Sequence, residues 1–472
     1  MGRNMKKISL IVFIITSLLI TFGSTQSWAG EIDILVNKLV EKGILSHSDA
    51  QELLGEMQKE GARQEAEIKE VATEAAKEEV KTSMVKLPKW AERIDFYGDL
   101  RLRHDTQWRE EKKPGGDKDE YNRNRERFRL RLGMKAKTTE TTEVGVRLAS
   151  GSGYQNTTNQ SCDGHARGKE IWIDRVYASW KATDYLKIIG GKQKNPLFTT
   201  PLVWDPDVNP EGLSESLKFD ITDRIGLFAN LGQYFVEEIK STNTDPTLLA
   251  FQLGTAIKPT DTMKLDFGVT YYNFMHLDDI EYDSGDIDDK AEFIGYNNTH
   301  GQQMVFNSDG DLLNEFECWE LAAKLKIKDV LPVPFSIYAN YIVNTDADID
   351  ELTDKGAVFP DSNPAELEAY GSDDRDTGWL VGLSLGNKKK KGDWYAKYHY
   401  QELEDYAFTA VFVDSDFHNG GTNNKGHYMH LRYYLMDNIQ ARVSGFLTES
   451  EDESKDGQKD EDRIQADVVF TF

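Results

Sequence analysis

From about Ile94 to Phe472 the chain runs in segments of alternating apolar and polar residues. The clearest spans Arg127 to Lys137, with Phe128, Leu130, Leu132, Met134 and Ala136 on one face. Arg127, Arg129, Arg131, Gly133, Lys135 and Lys137 take the other. A period of two is a β-strand whose faces meet different surroundings. Three consecutive arginines on one face cannot enter a protein core cheaply, because an unpaired buried charge costs several kcal/mol. The polar face must therefore meet water and the apolar face something oily. A closed barrel with hydrocarbon outside and a wet interior meets both demands.

Reading that period along the chain gives about sixteen strands. They fall at 94–104, 125–138, 142–151, 171–181, 184–193, 213–219, 223–236 and 247–258, then 262–275, 315–328, 333–345, 375–387, 391–403, 424–436, 438–450 and 461–472. The span 213–219 is the shortest of these. Long connections (105–124, 152–170, 194–212, 237–246, 276–314, 346–374, 404–423, 451–460) alternate with short ones. An even-stranded barrel with both ends on one side produces that pattern. The 12 prolines avoid the strand interiors, where a missing N–H would break the ladder. The fold class expected is all-β: a closed, antiparallel, up-and-down transmembrane barrel.

Composition narrows the function. Charged residues make up 29% of the 472 positions, too many for a bundle of membrane helices. The formal net charge of −25 argues against nucleic-acid binding, which needs a basic field. Much acid sits in loop-like stretches such as 278–289, read either as solvated loops or as divalent-cation bridges to anionic surface sugars. The nine histidines are scattered and no Cys-x-x-Cys occurs, so neither a metal nor a cofactor is expected. Without Gly-x-Ser-x-Gly or a convincing Ser/His pair, an enzyme is not expected either. Cys162 and Cys318 fall near the same end of the expected barrel, which leaves a disulfide open in an oxidising compartment.

Residues 1–29 read as a secretory signal: Arg3, Lys6 and Lys7, then the apolar Ile8 to Phe22, then small residues before Ala29. Residues 30–90 are rich in Glu, Lys, Ala and Leu with helical spacing, and Pro88 ends them. Either a periplasmic coiled coil or a solvated single helix fits, since several seam positions are polar. The barrel domain is expected over 91–472.

The last strand carries Ile464, Ala466, Val468, Phe470 and Phe472 on one face. It resembles the C-terminal signal that outer-membrane barrels, through residues such as Phe470 and Phe472, present to their assembly machinery. Three further passages carry a family resemblance: "LVNKLVEKGILSHSDAQELL", "RIDFYGDLRLRHD", and "YLKIIGGKQKNPLF" with "LVWDPDVNPEG". In these the chain resembles the "putative porin" family of Gram-negative outer membranes. The resemblance implies a water-filled barrel in outer-membrane lipid for passive entry of small hydrophilic solutes, as a homotrimer.

A channel of this kind works by pore width and lining charge. Sixteen strands leave an aqueous bore, whereas eight are filled by side chains. Arg101, Arg103, Arg127, Arg129, Arg131, Lys135 and Arg147 share the polar faces of the first three strands, as a basic ladder attracting anions or as plain hydration of the inner wall. In porins the third outside loop often folds inward. Here it carries Asp205, Asp207 and Glu211, is stiffened by four prolines, and is flanked by Lys192 and Lys194, which could pair with those acids. It is the candidate constriction; an ordinary solvated loop is the alternative. Trp180, Tyr185, Trp394, Tyr395, Tyr433, Tyr434 and Phe472 are candidates for interfacial aromatic belts. The rival function is a structural tether or adhesin built on the helical segment and the acidic loops.

Overall fold

The computed structural model describes residues 42, 46, 48, 91–112, 118–239, 244–280, 312–347, 375–387, 390–451 and 459–472. The expected signal segment, and the helical segment apart from three isolated positions, lie outside them. Within the unit Ile94–Phe472, besides a two-residue strand, Gln160–Ser161, in the second long connection that pairs with Arg127 and Phe128, alternation produces sixteen barrel strands. These are β1 (Ile94–Lys112), β2 (Lys118–Lys137), β3 (Thr142–Ser150), β4 (Ile171–Lys181), β5 (Leu186–Lys192), β6 (Glu211–Thr222), β7 (Ile225–Phe235) and β8 (Thr247–Thr260). They continue as β9 (Met263–Met275), β10 (Phe316–Ile327), β11 (Phe335–Asn344), β12 (Thr377–Gly386), β13 (Trp394–Leu403), β14 (Asn424–Met436), β15 (Ile439–Ser450) and β16 (Lys459–Thr471).

Each strand pairs antiparallel with the next, and β16 returns to β1 from Asp99↔Thr471 to Glu111↔Lys459. The sheet has no free edge, so the ladder satisfies backbone groups that hydrocarbon could not. Closure is completed by the last residue. Phe472 N–H donates to Gly98 O at 3.1 Å, and Gly98 N–H donates to Phe472 O at 2.8 Å. A β-carbon on residue 98 would strike the Phe472 ring, so a glycine is required there.

The two faces separate as the alternation demands. On β8, Leu253 is 53% exposed while its neighbour Gln252 is 0% exposed. On β11, Ile337 is 48% exposed and Ser336 7%. Outward faces are apolar: Leu102, Leu132, Val144, Val176, Leu227, Phe251, Leu321, Val381 and Leu383 all stand exposed. Phe128 and Leu130 share that outward face of β2 by register with Leu102 and Leu100. Tyr185 stacks on Phe219 at 5.2 Å near the short-turn end, and Trp180 is exposed there too.

Several expectations need correction. The first long connection is far shorter than 105–124, because β1 runs to Lys112 and β2 starts at Lys118. The cause is inward pairing that continues past the hydrocarbon: Arg125 Nη2 donates to Asp105 Oδ2 at 2.6 Å and to Gln107 Oε1 at 3.1 Å. The sixth strand is longer than 213–219, spanning Glu211–Thr222. Tyr395 and Tyr434 do not belong to an outer belt. Trp394 and Tyr433 are paired outward, so their neighbours point inward, where Tyr434 is buried. The two thiols are not joined: Cys162 is exposed in a loop, whereas Cys318 is buried on the inner face of β10 opposite Tyr272.

A lysine placed on the oily face at mid-strand has no such freedom. Leu253→Lys should cost ~2–4 kcal/mol in denaturant unfolding from lipid vesicles. Lys218→Gln, on the inner face, should stay within about 0.5 kcal/mol. Equal costs would refute the assignment of faces.

Candidate functional site

The inner wall is charged on one side and apolar on the other. β1, β2 and β16 carry the ionic side. Asp105 is fully buried between Arg463, which donates through Nε and Nη2 at 2.8 Å each, and Arg125. Arg103 grips Asp467 with Nε at 2.7 Å and Nη2 at 3.0 Å. Arg129 and Arg131 share Asp99: Arg129 Nη2 reaches Oδ1 and Arg131 Nε reaches Oδ2, each at 2.7 Å. Arg147 on β3 meets Asp174 on β4. Paired forks of this kind are the stronger ion pairs, and they fix the side chains in place.

Three outside loops approach these groups: L2 (151–170), L3 (193–210) and L7 (404–423). L3 is pinned from the opposite wall. The Gln252 side chain bonds both backbone polar groups of Phe198, accepting from N–H and donating to O at 2.9 Å each. Buried Glu320 on β10 accepts from Thr199 and from Tyr272 Oη, the latter at 2.7 Å. Further along L3, Leu202, Val203, Trp204 and Val208 are buried. Trp204 stacks on Phe412 of L7 with ring centroids 4.9 Å apart and planes 4° apart. Phe408 and Phe412 of L7 pack in turn against Phe274 of β9. An apolar core of L3, L7 and the inner faces of β7–β12 thus occupies one side of the interior.

The tips of L3 and L7 bring carboxylates to the arginines. Asp207 Oδ1 lies 3.3 Å from Arg131 Nη1, and its Oδ2 accepts from Thr158 of L2 at 3.0 Å. Asp416 of L7 bridges Arg103 at 3.0 Å and Arg463 at 3.2 Å, and accepts from Gln465. Asp205 takes no arginine. It accepts from Ser415 N–H at 2.9 Å and from Asp207 N–H at 2.7 Å, so it ties L3 to L7. L2 joins the same junction through Ser415 Oγ, which donates to Asn156 O at 2.7 Å.

Ionisation divides Asp205, Asp207 and Asp416, together with Asp414 of L7, into two pairs. Burial would raise Asp416, but Arg103, Arg463 and Arg101 hold it well below the usual carboxylate range. Burial is likewise outweighed at Asp207 by Arg129, Arg131 and Arg101, which hold it low. Asp205 is pushed well up by burial and by Asp414 and Asp207. Asp414 is pushed up to about 6 by burial and by Asp416.

The sequence-derived residues do not all meet. Arg103, Arg129, Arg131, Asp205 and Asp207 converge with Asp416. Arg101 faces the same space and donates to Asn159 of L2, while Arg127 lies 3.6 Å from Asp105. Lys135 sits nearer the short-turn end, with Nζ 5.6 Å from the Tyr97 ring centre. Glu211 and Lys192 pair with each other on the strand face they share with exposed Val176, which is the outer face. They stand apart from the loop acids for that reason. Lys194 lines a cavity of about 760 Å³ beneath L3, with Lys187, Lys218, Phe198 and Phe228. Asp467, Arg463 and the inward reach of L7 are not among the features the sequence points to, whereas Asp99 is, on the same face as Arg101 and Arg103. The signal for L7 is its run Tyr406–Val413, too apolar for a loop that stays in water.

The family described as "Putative porin" matches residues 109–469. No curated protein matches the chain. Solved structures similar to it include Salmonella typhi OmpF in complex with daunomycin, at 11% identity and TM-score 0.43, covering 80% of this chain and 97% of that one. Pseudomonas putida OprB at high pH gives 11% identity and TM-score 0.46, covering 81% and 95%. Acinetobacter baumannii DcaP, an outer membrane channel, gives 13% and 0.41, covering 80% and 97%. A closed sixteen-strand barrel and a family match over most of its length agree: the chain belongs to the putative porin family, outer-membrane channel proteins of Gram-negative bacteria.

Proposed function

We propose that this porin passes small hydrophilic solutes by diffusion through a passage bounded by the basic wall of β1–β3 and the acidic tips of L3 and L7. The observation that carries the reading is Arg131. Its guanidinium is divided between Asp99 on the wall and Asp207 on L3. Positive charge on one side and negative charge on the other set a transverse field. A polar solute aligns in that field and exchanges some hydration for fixed dipoles, whereas an apolar one gains nothing. The apolar packing of L3 and L7 against β7–β12 confines the passage to the charged side. The excess of arginine there favours anions. No bond is made or broken, so the role is transport rather than catalysis. Recognition of the last strand through Phe470 and Phe472 by the barrel assembly machinery, an N-terminal signal, and a homotrimer in outer-membrane lipid complete the proposal. A tether or adhesin would depend on residues 30–90, which apart from 42, 46 and 48 lie outside the described residues, and on the acidic outside loops.

In planar bilayers with a salt gradient, the purified protein should conduct with a reversal potential favouring anions. Arg129→Gln with Arg131→Gln should lower the anion-to-cation permeability ratio several-fold, and Asp207→Asn should raise it. An intact protein that does not conduct would sink the channel reading.

The passage should widen as pH rises. Asp205 and Asp414 have raised values, so their contribution to loop docking is present below the ordinary carboxylate range. It is lost as pH climbs through the folded values, about 6 for Asp414. Conductance and proteolytic cleavage within 404–423 should therefore both increase as pH rises from about 4 through about 6. Asp414→Asn should flatten that slope. Asp207 and Asp416 have depressed values, so their contribution holds above the ordinary range and fades only in stronger acid.

Removing the L7 clamp outright should act at every pH. Asp416→Ala removes the loop carboxylate shared by Arg103 and Arg463, which keep Asp467 and Asp105 on the wall, and should cost about 1–3 kcal/mol of docking. The check is an enlarged single-channel conductance with L7 open to protease. Unchanged conductance would mean that L7 does not limit the passage.

A further inference from the structure

The inner faces of β13, β14 and β15 carry cations that the proposed passage does not use. Arg432 on β14 stands directly opposite Arg442 on β15. Direct cross-strand partners hold their β-carbons about 5 Å apart, and like charges so placed destabilise a sheet. A wall built only for stability would put an acid opposite one of them.

The neighbouring acid is committed elsewhere. Asp467 lies across from Arg442 on β16, but both its oxygens go to Arg103. Arg442 donates from Nε at 3.1 Å and Nη2 at 2.7 Å to Gln440 Oε1, a neutral amide. Arg432 lies over the Tyr395 ring, 5.9 Å from its centre, and its buried Nε has no hydrogen-bond partner. The buried Nε2 of His430, two residues before Arg432, has none either. Neither arginine forms an ion pair with a carboxylate among the described residues. Lys397 adds a third positive charge close by, with Nζ 5.2 Å from the Tyr338 ring and 5.4 Å from the Tyr428 ring. The result is a pair of guanidinium forks with unspent donors, beside the aromatic surface of Tyr395.

We propose that Arg432 and Arg442 form a binding station for an oxyanion, a carboxylate or a phosphate, borne by a small organic solute. The oxygens take guanidinium donors from both forks, and the body of the solute lies along Tyr395. Guanidinium forks match carboxylate and phosphate geometry, and the bound anion relieves the repulsion between them. The station rests on the channel reading: it holds the solute before or after the passage beside Arg131.

The test has two arms. In planar bilayers, conductance carried by benzoate or by inorganic phosphate should saturate with concentration. Arg432→Gln with Arg442→Gln should raise the half-saturating concentration roughly ten-fold or more for the anion that binds. In detergent, the same anion should raise the unfolding temperature of the wild-type barrel and not that of the double variant. Without anion the double variant should be at least as heat-stable as the wild type, because the repulsion is gone. Comparing benzoate with phosphate says which oxyanion is preferred. An unchanged half-saturation, or equal thermal protection of both proteins, would overturn the station. The thermal arm needs no transport, so a barrel that binds but does not conduct would refute the channel reading and leave the station standing.

Discussion

A peptide N–H or C=O facing hydrocarbon has no water to fall back on, so each must find its partner in the next strand. That demand closes the sheet, and the closure is local enough to name. The chain's last residue exchanges two hydrogen bonds with Gly98, and the Phe472 ring rests where a side chain at 98 would stand. From Asp99 onward β1 and β16 then zip along the long register that brings Arg103 beside Asp467 and Gln107 beside Arg463. The ionic side of the interior straddles this seam. Arg463 comes from the last strand and Asp105 from the first, so their ion pair exists only in a closed barrel.

The interior meets a second demand, that its charges be paired or wet. On the seam side L7 supplies the missing carboxylate: Asp416 is shared by Arg103 and Arg463. On the far side the wall turns apolar, and L3 and L7 cover it with Trp204, Phe408 and Phe412. One loop thereby does two things. The apolar run of L7 packs as core, and the acids that follow it reach the arginines. Docking the loop on the first surface holds its charges against the second. The buried tie between the loops, in which Asp205 accepts from the Ser415 N–H, costs desolvation of a carboxyl that ion pairing does not offset.

Strand positions were legible because both solvents leave a mark at every second residue; all sixteen expected spans overlap an observed strand. Boundaries were less so at β1 and β2. There the outward positions turn polar beyond the hydrocarbon, at His104, Thr106 and Asn124, so the alternation vanishes while the ladder continues. The belt expectation for Tyr395 and Tyr434 failed for a simpler reason: adjacent residues on a strand cannot share a face, and Trp394 and Tyr433 already point outward. The same parity rule separates Glu211 and Lys192 from Asp205 and Asp207. Nearness along the chain does not bring them together in space, because Glu211 is already the first residue of β6. The inward reach of L7 depends on tertiary packing with L3, which no local period encodes.

Net charge is a poor guide to what such a barrel admits. The chain carries −25 overall, yet the row across the seam reads Arg432, Arg442, Asp467, Arg103, Arg127: four arginines to one acid. At physiological salt a charge is screened over about 8 Å, so acids on outside loops act on the approach of a solute and little beyond it. Inside, Arg103 is held by Asp467 and Asp416, whereas Arg432 and Arg442 have no carboxylate partner among the described residues, so the field of their forks falls on whatever stands beside them. The order of charges along a few neighbouring strands, rather than their sum over the chain, is the quantity that sets selectivity.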